Sequence, residues 1–585
     1  LGGSAHVEGC TKNYRLTHIS GFRYKTSQYM LKSLDTKGEY NPSFIDFQTY
    51  LTYDLTTDFE LSFLGNIAQN KYDFIPLSLE SAFGTIGEPL NLKIYFDGKE
   101  TDRFTTLTGA LAGTYHPSDN KWYKFIASAY NASEEETYDI QGQYFINELD
   151  KDLGSESMGD SLMNIGIGTF LNHARNYLDA TVVNLTHKGF IANDVGNNLV
   201  QWGARLQREY INDNINEWQM LDSSGYSLPY SDTAVNLYYT LNATNNLTTN
   251  RIETYIQDSY TLELDSNKIH FTGGIRGCGY NFNDTFSSDS LNSTPVRFFL
   301  GPRVNIGFRP NWRRNIIFRF SAGYYYQPPF YKEIRNLNGD INLDIKPQKS
   351  IHFVLGTDFY FNMWGRPFKY VAEVYYKKMD NLIPYIIDQV RIRYMAENNA
   401  HGFATGIDMK INGEFVKGVD SWASLSVMRT MEDIENDVYT DSLGNPVYPG
   451  YVPRPSDQMV NFGLFFQDYI PKHPSYKVHL SLMFGSGLPF GPPKNLRYRT
   501  ALRMPPYRRV DIGFSKEIVS ELAKLSRKNP LRSFKSIWIC LEVFNLLDIN
   551  NTISYLWITD IYGRQLAVPN YLTSRRLNVK LIVKI

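Results

Sequence analysis

The sequence lacks any apolar run of the roughly 18 residues that a membrane-crossing helix needs. Its most apolar stretch, "SIWICLEVFNLL" (Ser536–Leu547), is of strand length and contains Glu542. Helical periodicity is nearly absent as well. The exception is "SKEIVSELAKLSRKN" (Ser515–Asn529), where Ile518, Leu522 and Leu525 fall at helical spacing. Charge of either sign is not in excess: 59 Lys and Arg stand against 60 Asp and Glu, for a net charge of −1. A nucleic-acid protein would normally show a basic excess, so no nucleic-acid partner is expected. Cysteine is scarce. Cys10, Cys278 and Cys540 lie far apart and form no CxxC, so small buried or lipid-facing side chains are expected rather than a redox or metal set. HExxH, GxSxG and Walker signatures are all missing. No enzyme, catalytic set, metal or cofactor is expected on that ground. "GGIRGCG" (Gly273–Gly279) is glycine-rich, but it lies in a strand and opens no helix. The acidic "NELDKDLGSESMGDS" (Asn147–Ser161) lacks the bidentate Glu of a calcium loop and reads as a solvated outer loop.

What is abundant is the aromatic side chain: Tyr (42) and Phe (36) help bring aromatics to 15% of 585 residues. Such rings suit sheets and membrane–water interfaces. Period-2 alternation fills the chain. In "FIDFQTYLTY-DLTTD-FELSFLGNI", Ile45, Phe47, Leu51 and Tyr53 share one face and Asp46, Gln48, Tyr50 and Thr52 the other, before a five-residue turn. The unit recurs around "HPSDN", "ELDSN", "PNWRR", "NMWGR" and "IPKHP". Between these hairpins lie long polar stretches, Lys71–Asp102, Glu135–Tyr177, Asn212–Thr248, Gln327–Lys349 and Met431–Ser456, which read as loops. Alternation of short and long connections is the rhythm of an up-and-down antiparallel β-barrel in an outer membrane. The fold expected is therefore all-β: a transmembrane barrel with short periplasmic turns and long extracellular loops. Twenty-one strand cores are visible, from 4–10 to 574–585. Lipid offers no partner to an open edge, and antiparallel closure needs an even number, so about 22 strands are expected. The parity places the absent strand upstream of Leu1, with residues 1–585 as the barrel domain of a processed or partial chain. The alternative is an overlooked strand within Ile383–Glu397, a stretch that also reads as a hairpin inside a loop.

The ordered set "YIQDSYTLEL" (Tyr255–Leu264), "LGPRVNIGFRP" (Leu300–Pro310), "FSAGYYYQPPFYKEI" (Phe320–Ile334), "YVAEVYYKKMDNLIPY" (Tyr370–Tyr385), "VPRPSDQMVNFGL" (Val452–Leu464), "YRRVDIGFSKEI" (Tyr507–Ile518) and "LEVFNLLDINN" (Leu541–Asn551) resembles the barrel of a TonB-dependent outer-membrane receptor. The resemblance covers Arg251–Ile585 most sharply. It implies uptake of a scarce nutrient of the siderophore, glycan or peptide class in the outer membrane of a Gram-negative bacterium. It also implies contact with lipids and lipopolysaccharide, an upstream plug through which the TonB complex acts, and a possible surface lipoprotein lid. This sequence contains no plug and ends on Ile585 rather than an aromatic residue. The competing expectations are a structural or assembly subunit of an outer-membrane lipoprotein complex and a passive porin.

Three stretches carry candidate ligand contacts. "NEWQMLDSSGYSLPY" offers Trp218 and Tyr226. "YYYQPPFYKEIR" offers Tyr326, Gln327, Tyr331 and Arg335. "DQVRIRYMAE" places Arg391 and Arg393 on one strand face. Aromatics and arginines are common ligand grips, although an interface girdle and a charged barrel interior compete for the same residues. The basic connection Ser515–Lys535 reads as a short solvated helix on the periplasmic side. The terminal "RRLNVKLIVKI" should send Leu577, Val579, Leu581, Val583 and Ile585 to lipid, Asn578 and Lys584 to the lumen, and pair with "SIWICLEVFNLL".

Overall fold

The computed structural model describes residues 2–31, 34, 36–85, 87–152, 154–193, 196–223, 226–231, 233–234, 236–284, 292–388, 390–441, 443–470, 473–492, 500–521, 525–526, 529–559 and 564–585. Twenty-one strands form its wall: β1 (Gly2–Cys10), β2 (Leu16–Lys25), β3 (Thr36–Asp54), β4 (Phe59–Thr85), β5 (Glu88–Ser118), β6 (Lys121–Leu149), β7 (Ser161–Ala192), β8 (Asn198–Ser223), β9 (Tyr239–Leu264), β10 (Asn267–Asp284), β11 (Arg297–Arg309), β12 (Asn315–Gln327), β13 (Gln348–Met363), β14 (Arg366–Leu382), β15 (Ala400–Val416), β16 (Val419–Ile434), β17 (Val460–Ile470), β18 (His473–Gly485), β19 (Tyr507–Val519), β20 (Ser536–Phe544) and β21 (Arg576–Lys584). Each is antiparallel to the next in sequence, with no crossover. Three short strands at Tyr226–Leu228, Asn292–Ser293 and Val452–Pro453 bring the sheet to 24. No described helix is long and apolar enough to cross a membrane.

Tight turns gather at one end. Asp265 and Ser266 both adopt positive φ (47° and 67°), as do Trp364 and Gly365 (55° and 68°). This is the two-residue geometry whose twist matches that of the strands it joins. Alternation then sorts the side chains. Ile67, Leu107, Leu111, Phe125, Leu185, Leu206, Ile256, Leu300, Leu355 and Val374 are each more than half exposed and face outward as the lipid band. The inner face is polar and cross-paired, with Arg251–Glu209 at 3.3 Å, Arg276–Glu253 at 2.6 Å and Arg319–Asp358 at 2.7 Å. The end of the chain follows the expected pattern. β21 pairs with β20, exposes Leu577, Val579 and Leu581, and turns Asn578 inward to donate to Glu542 at 2.7 Å. β1 and β21 run in the same direction, and each has a single neighbour among the described residues.

Two expectations need correction. Lys71–Asp102, Glu135–Tyr177 and Asn212–Thr248 are largely not loops. They prolong β4–β9 to between 26 and 32 residues, well beyond the membrane. The cause is a second apolar face at the outer end, where Leu79, Leu90, Leu92, Ile94, Tyr144 and Ile146 form a core. It is capped by a hairpin of Thr552–Thr559 and Gln565–Tyr571, through Val568. The second correction concerns Ser515–Lys535. Its first five residues continue β19 to Val519, and its one described helical piece is a 3₁₀ turn at Pro530–Ser533. Ile518 is exposed on the outer strand face, so the helical spacing of Ile518 has no packing partner to enforce it. Leu522 lies outside the described residues. All three cysteines are free, Cys10 exposed and the other two buried.

Candidate functional site

Two loops at the outer end fold back into the mouth of the barrel. The first joins β12 to β13 and carries one helical turn, Tyr331–Ile334. The second joins β14 to β15 and contains a hairpin of Tyr385–Asp388 with Arg391–Tyr394, which realises the hairpin-in-a-loop alternative for that stretch. Apolar contacts seat them. Ile334, Ile345 and Ile383 are almost completely buried against Leu247, Tyr280 and Phe282 of the inner wall. Each such side chain contributes about 1.5–3 kcal/mol. The loops are also bound to one another: Asn342 donates to the Ala396 carbonyl at 2.9 Å, and the Phe330 and Tyr394 rings meet edge-on at 5.6 Å.

Their polar tips reach across to β6–β9. Tyr331 donates its hydroxyl to Asp213 at 2.5 Å, and Arg335 pairs with the same carboxylate. Asn245 donates to the Tyr331 oxygen at 3.1 Å and to the Gly339 carbonyl at 2.9 Å. Arg391 binds Glu136 and lies 3.7 Å from Glu217. Arg393 donates to the Tyr239 hydroxyl at 2.9 Å and lies 3.9 Å from Glu217, which Asn176 also contacts at 2.8 Å. The wall here is acidic, since Glu100, Asp102 and Glu136 hold carboxylate oxygens within 4.8 Å of one another. The two loops supply its counter-charge. Burial works against the charge on Arg391, but Glu136, Tyr138 and Glu217 outweigh it and hold its pKa above the ordinary value. Glu333 caps its own helical turn, accepting from the Phe330 N–H at 3.2 Å and from Gln348 at 2.7 Å. Burial pushes its carboxyl up to about 7 despite those bonds.

Of the residues singled out from sequence, the structure brings together Tyr331, Arg335, Arg391 and Arg393 as anchors of this roof. Tyr326, packed on Phe299 at 5.3 Å, and Gln327 instead line a separate recess of about 480 Å³ lower on the wall. Trp218 lies on the outer face of β8 and stacks on His173 at 4.7 Å. Tyr226 is exposed at the tip of a short hairpin beside Tyr230. Asp213, Glu217, Glu136 and Tyr239 escape the sequence reading because their stretches look like loops. The alternation of Asp213, Ile215 and Glu217 in "INDNINEWQ" is the signal that could have found them.

A many-stranded barrel with a polar lumen and a roof of inward loops is the frame into which the sequence comparison falls: the family model for the TonB dependent receptor-like beta-barrel matches residues 33–526. The chain belongs to this family. As a TonB-dependent receptor it resides in the outer membrane of a Gram-negative cell, where such receptors act with TonB. Solved relatives share the fold at low identity. The P. aeruginosa receptor FpvA bound to heterologous pyoverdines is 11% identical with a TM-score of 0.62, over 99% of this chain and 69% of that one. The ferric yersiniabactin uptake receptor FyuA of Yersinia pestis is 13% identical with a TM-score of 0.61, over 100% and 79%. The ferric-catecholate import receptor Fiu of E. coli K12 is 11% identical with a TM-score of 0.61, over 100% and 79%. No curated protein matches the chain.

Proposed function

We propose that this receptor takes up a scarce nutrient of the siderophore, glycan or peptide class across the outer membrane. The observation that carries the reading is the roofed mouth. Two loops cross from β12–β15 to β6 and β8 and are pinned there by ion pairs at Asp213, Glu136 and Glu217. A passive porin works through a standing aqueous lumen, and a pinned roof obstructs one. A receptor needs a mouth that holds its cargo and opens on demand, and salt-linked loops over a polar lumen suit that task. Two parts complete the proposal. An upward strand, antiparallel to both β1 and β21, fills the seam between them. A plug fills the lumen and couples it to TonB. For glycan or peptide cargo a surface lipoprotein lid would sit above the mouth.

Deletion of the gene tests this. Growth should fail only when one nutrient is limiting, and loss of TonB should reproduce the defect without further effect in the double mutant. A growth defect independent of every nutrient, with constant co-purification of assembly factors, would establish the scaffold reading instead.

A further inference from the structure

The periplasmic rim carries a feature that neither the roof nor the lumen uses. The turn joining β11 to β12 reads "RPNWRRN" (Arg309–Asn315) and holds three arginines and no acid. Arg309 still belongs to β11, whereas Arg313 and Arg314 stand between the strands, both exposed. Neither has an ion-pair partner among the described residues. Charge around this rim is uneven, since acids stand at other turns: Asp54 and Asp58 between β3 and β4, and Asp119 between β5 and β6. The arginine turn is also held in place, because the Asn311 N–H donates to Asn267 Oδ1 of the neighbouring turn at 2.7 Å.

Two tryptophans mark the level at which these arginines stand. Trp312 precedes them and is 59% exposed. Its ring meets Phe318 edge-on at 5.9 Å. Phe320 lies opposite Leu355 of the lipid band, so Phe318, two residues away on β12, faces lipid as well. Trp364 occupies the next turn, between β13 and β14, and is 67% exposed. It meets Phe368 edge-on at 6.1 Å. Phe368 shares the outward parity of Val374 yet is buried, because Phe361 and Phe415 close over it from 5.6 and 4.9 Å. Arg366 ties this turn down by donating to the Phe415 carbonyl. Both indoles therefore rest on lipid-facing rings, which is the setting of tryptophan at a membrane–water boundary. The guanidinium groups of Arg313 and Arg314 stand beside that boundary.

We propose that these two consecutive turns bind a phospholipid of net negative charge in the periplasmic leaflet. Arg313 and Arg314 grip its phosphate, a task the guanidinium fork suits, and Trp312 and Trp364 flank its glycerol and upper acyl chains. The aromatic seat is what commits the site to a lipid, since a soluble anion needs no indole packed on the bilayer side. The surface faces away from the lumen, so neither plug nor cargo competes for it. A basic residue beside an anionic bilayer surface is worth roughly fivefold in affinity, so the pair gives on the order of tenfold once salt screens part of it.

The test is tryptophan quenching in the whole receptor, reconstituted in phosphatidylcholine vesicles that contain rising fractions of brominated phosphatidylglycerol or, in parallel, of brominated phosphatidylcholine. Bromine quenches only the indoles it touches. The emission owed to Trp312 and Trp364 is the difference between wild type and Trp312→Phe/Trp364→Phe. That share should be quenched by phosphatidylglycerol at a mole fraction lower by roughly threefold or more, with the preference shrinking as salt rises. Arg313→Gln/Arg314→Gln should bring the two lipids level. Arg15→Gln, which removes a charge from the β1–β2 turn on the same rim, should leave the preference unchanged. Heat-modifiability on gels verifies that each variant is folded. Equal quenching by the two lipids in wild type, or a preference that survives the loss of both arginines, would overturn the proposal. So would a preference lost equally in Arg15→Gln, which would reveal bulk charge attraction without a site. Quenching by neither lipid would place the turns out in the periplasm, open to a soluble acidic partner, and would overturn it as well.

Discussion

Replacing Asp213 with alanine removes the acceptor on which the first roof loop depends. The Asp213 side chain is 5% exposed and that of Arg335 26%, so the pair is largely shielded from water. Two donors lose their partner at once. The Tyr331 hydroxyl is left buried with Asn245 alone, which costs about 1–2 kcal/mol. The Arg335 guanidinium loses a charge-assisted bond worth about 1.5–3 kcal/mol, taken at the low end because part of it reaches solvent. The sum is about 3 kcal/mol. The wall ladders around β8 are untouched, so the loss falls on local opening of the loop and not on unfolding of the barrel. Hydrogen exchange of the amides in residues 331–345, in detergent, should therefore accelerate roughly a hundredfold, at 1.4 kcal/mol per factor of ten. Amides of β8 and β9 should keep their wild-type rates. Asp213→Asn keeps an acceptor for Tyr331 and should give an intermediate rate, and Trp218→Ala on the outer face should give none. If exchange in 331–345 rises less than threefold in Asp213→Ala, the ion pair does not hold the loop and the roof is seated by its apolar contacts alone.

The remaining predictions concern charge and lipid. Glu333 has a folded pKa raised by burial to about 7. Its neutral form is therefore the one the loop favours, and loop protection should be fullest at low pH and fall as pH rises from the ordinary carboxylate range through 7. Exchange in residues 331–345 measured across that interval should show the fall, and Glu333→Gln should abolish it. Arg391→Glu places a like charge beside Glu136 and Glu217. At 39% side-chain exposure the lost pair is worth under about 1 kcal/mol, but the added repulsion should free the hairpin, read as a longer distance from a spin label at Val390 to one on β7. Adding Glu136→Arg should restore the wild-type distance, and a failure to do so would show that packing holds the hairpin. Ile256→Arg puts a charge on the lipid face, where a midplane position costs about 2–4 kcal/mol. Urea unfolding in vesicles should shift accordingly, and an unchanged midpoint would mean that this face does not meet lipid.

The wall was legible in the sequence because its code is local. In "NKIHFTGGIRGCGYNF" or "RRLNVKLIVKI" the alternation shows a strand and both its faces, and hydrogen bonding in lipid requires every strand to find two neighbours. The height of β4–β9 was not legible, because their upper halves face water on one side and a small private core on the other, so polar residues dominate stretches that are still paired. Nor was the roof. Arg391 and Glu136 lie 255 residues apart in sequence, and nothing near either one names the other. Arg391, Arg393, Tyr331 and Arg335 drew attention by residue type, whereas Asp213 and Glu217 looked like ordinary loop acids.

The asymmetry of the roof fixes the direction in which it can move. Its anchors Glu136, Asp213 and Glu217 stand within paired strands, whereas the segments they hold are loops, which makes the wall the stationary side. The loops leave β12–β15 at Gln327, Gln348, Leu382 and Ala400, and these four positions are where the backbone must turn if the roof lifts. Gln327, Gln348 and Leu382 also line the recess that holds Arg303. The roof therefore bends beside this recess of the inner wall, so that a change there acts on the axis of the door and not on its latch.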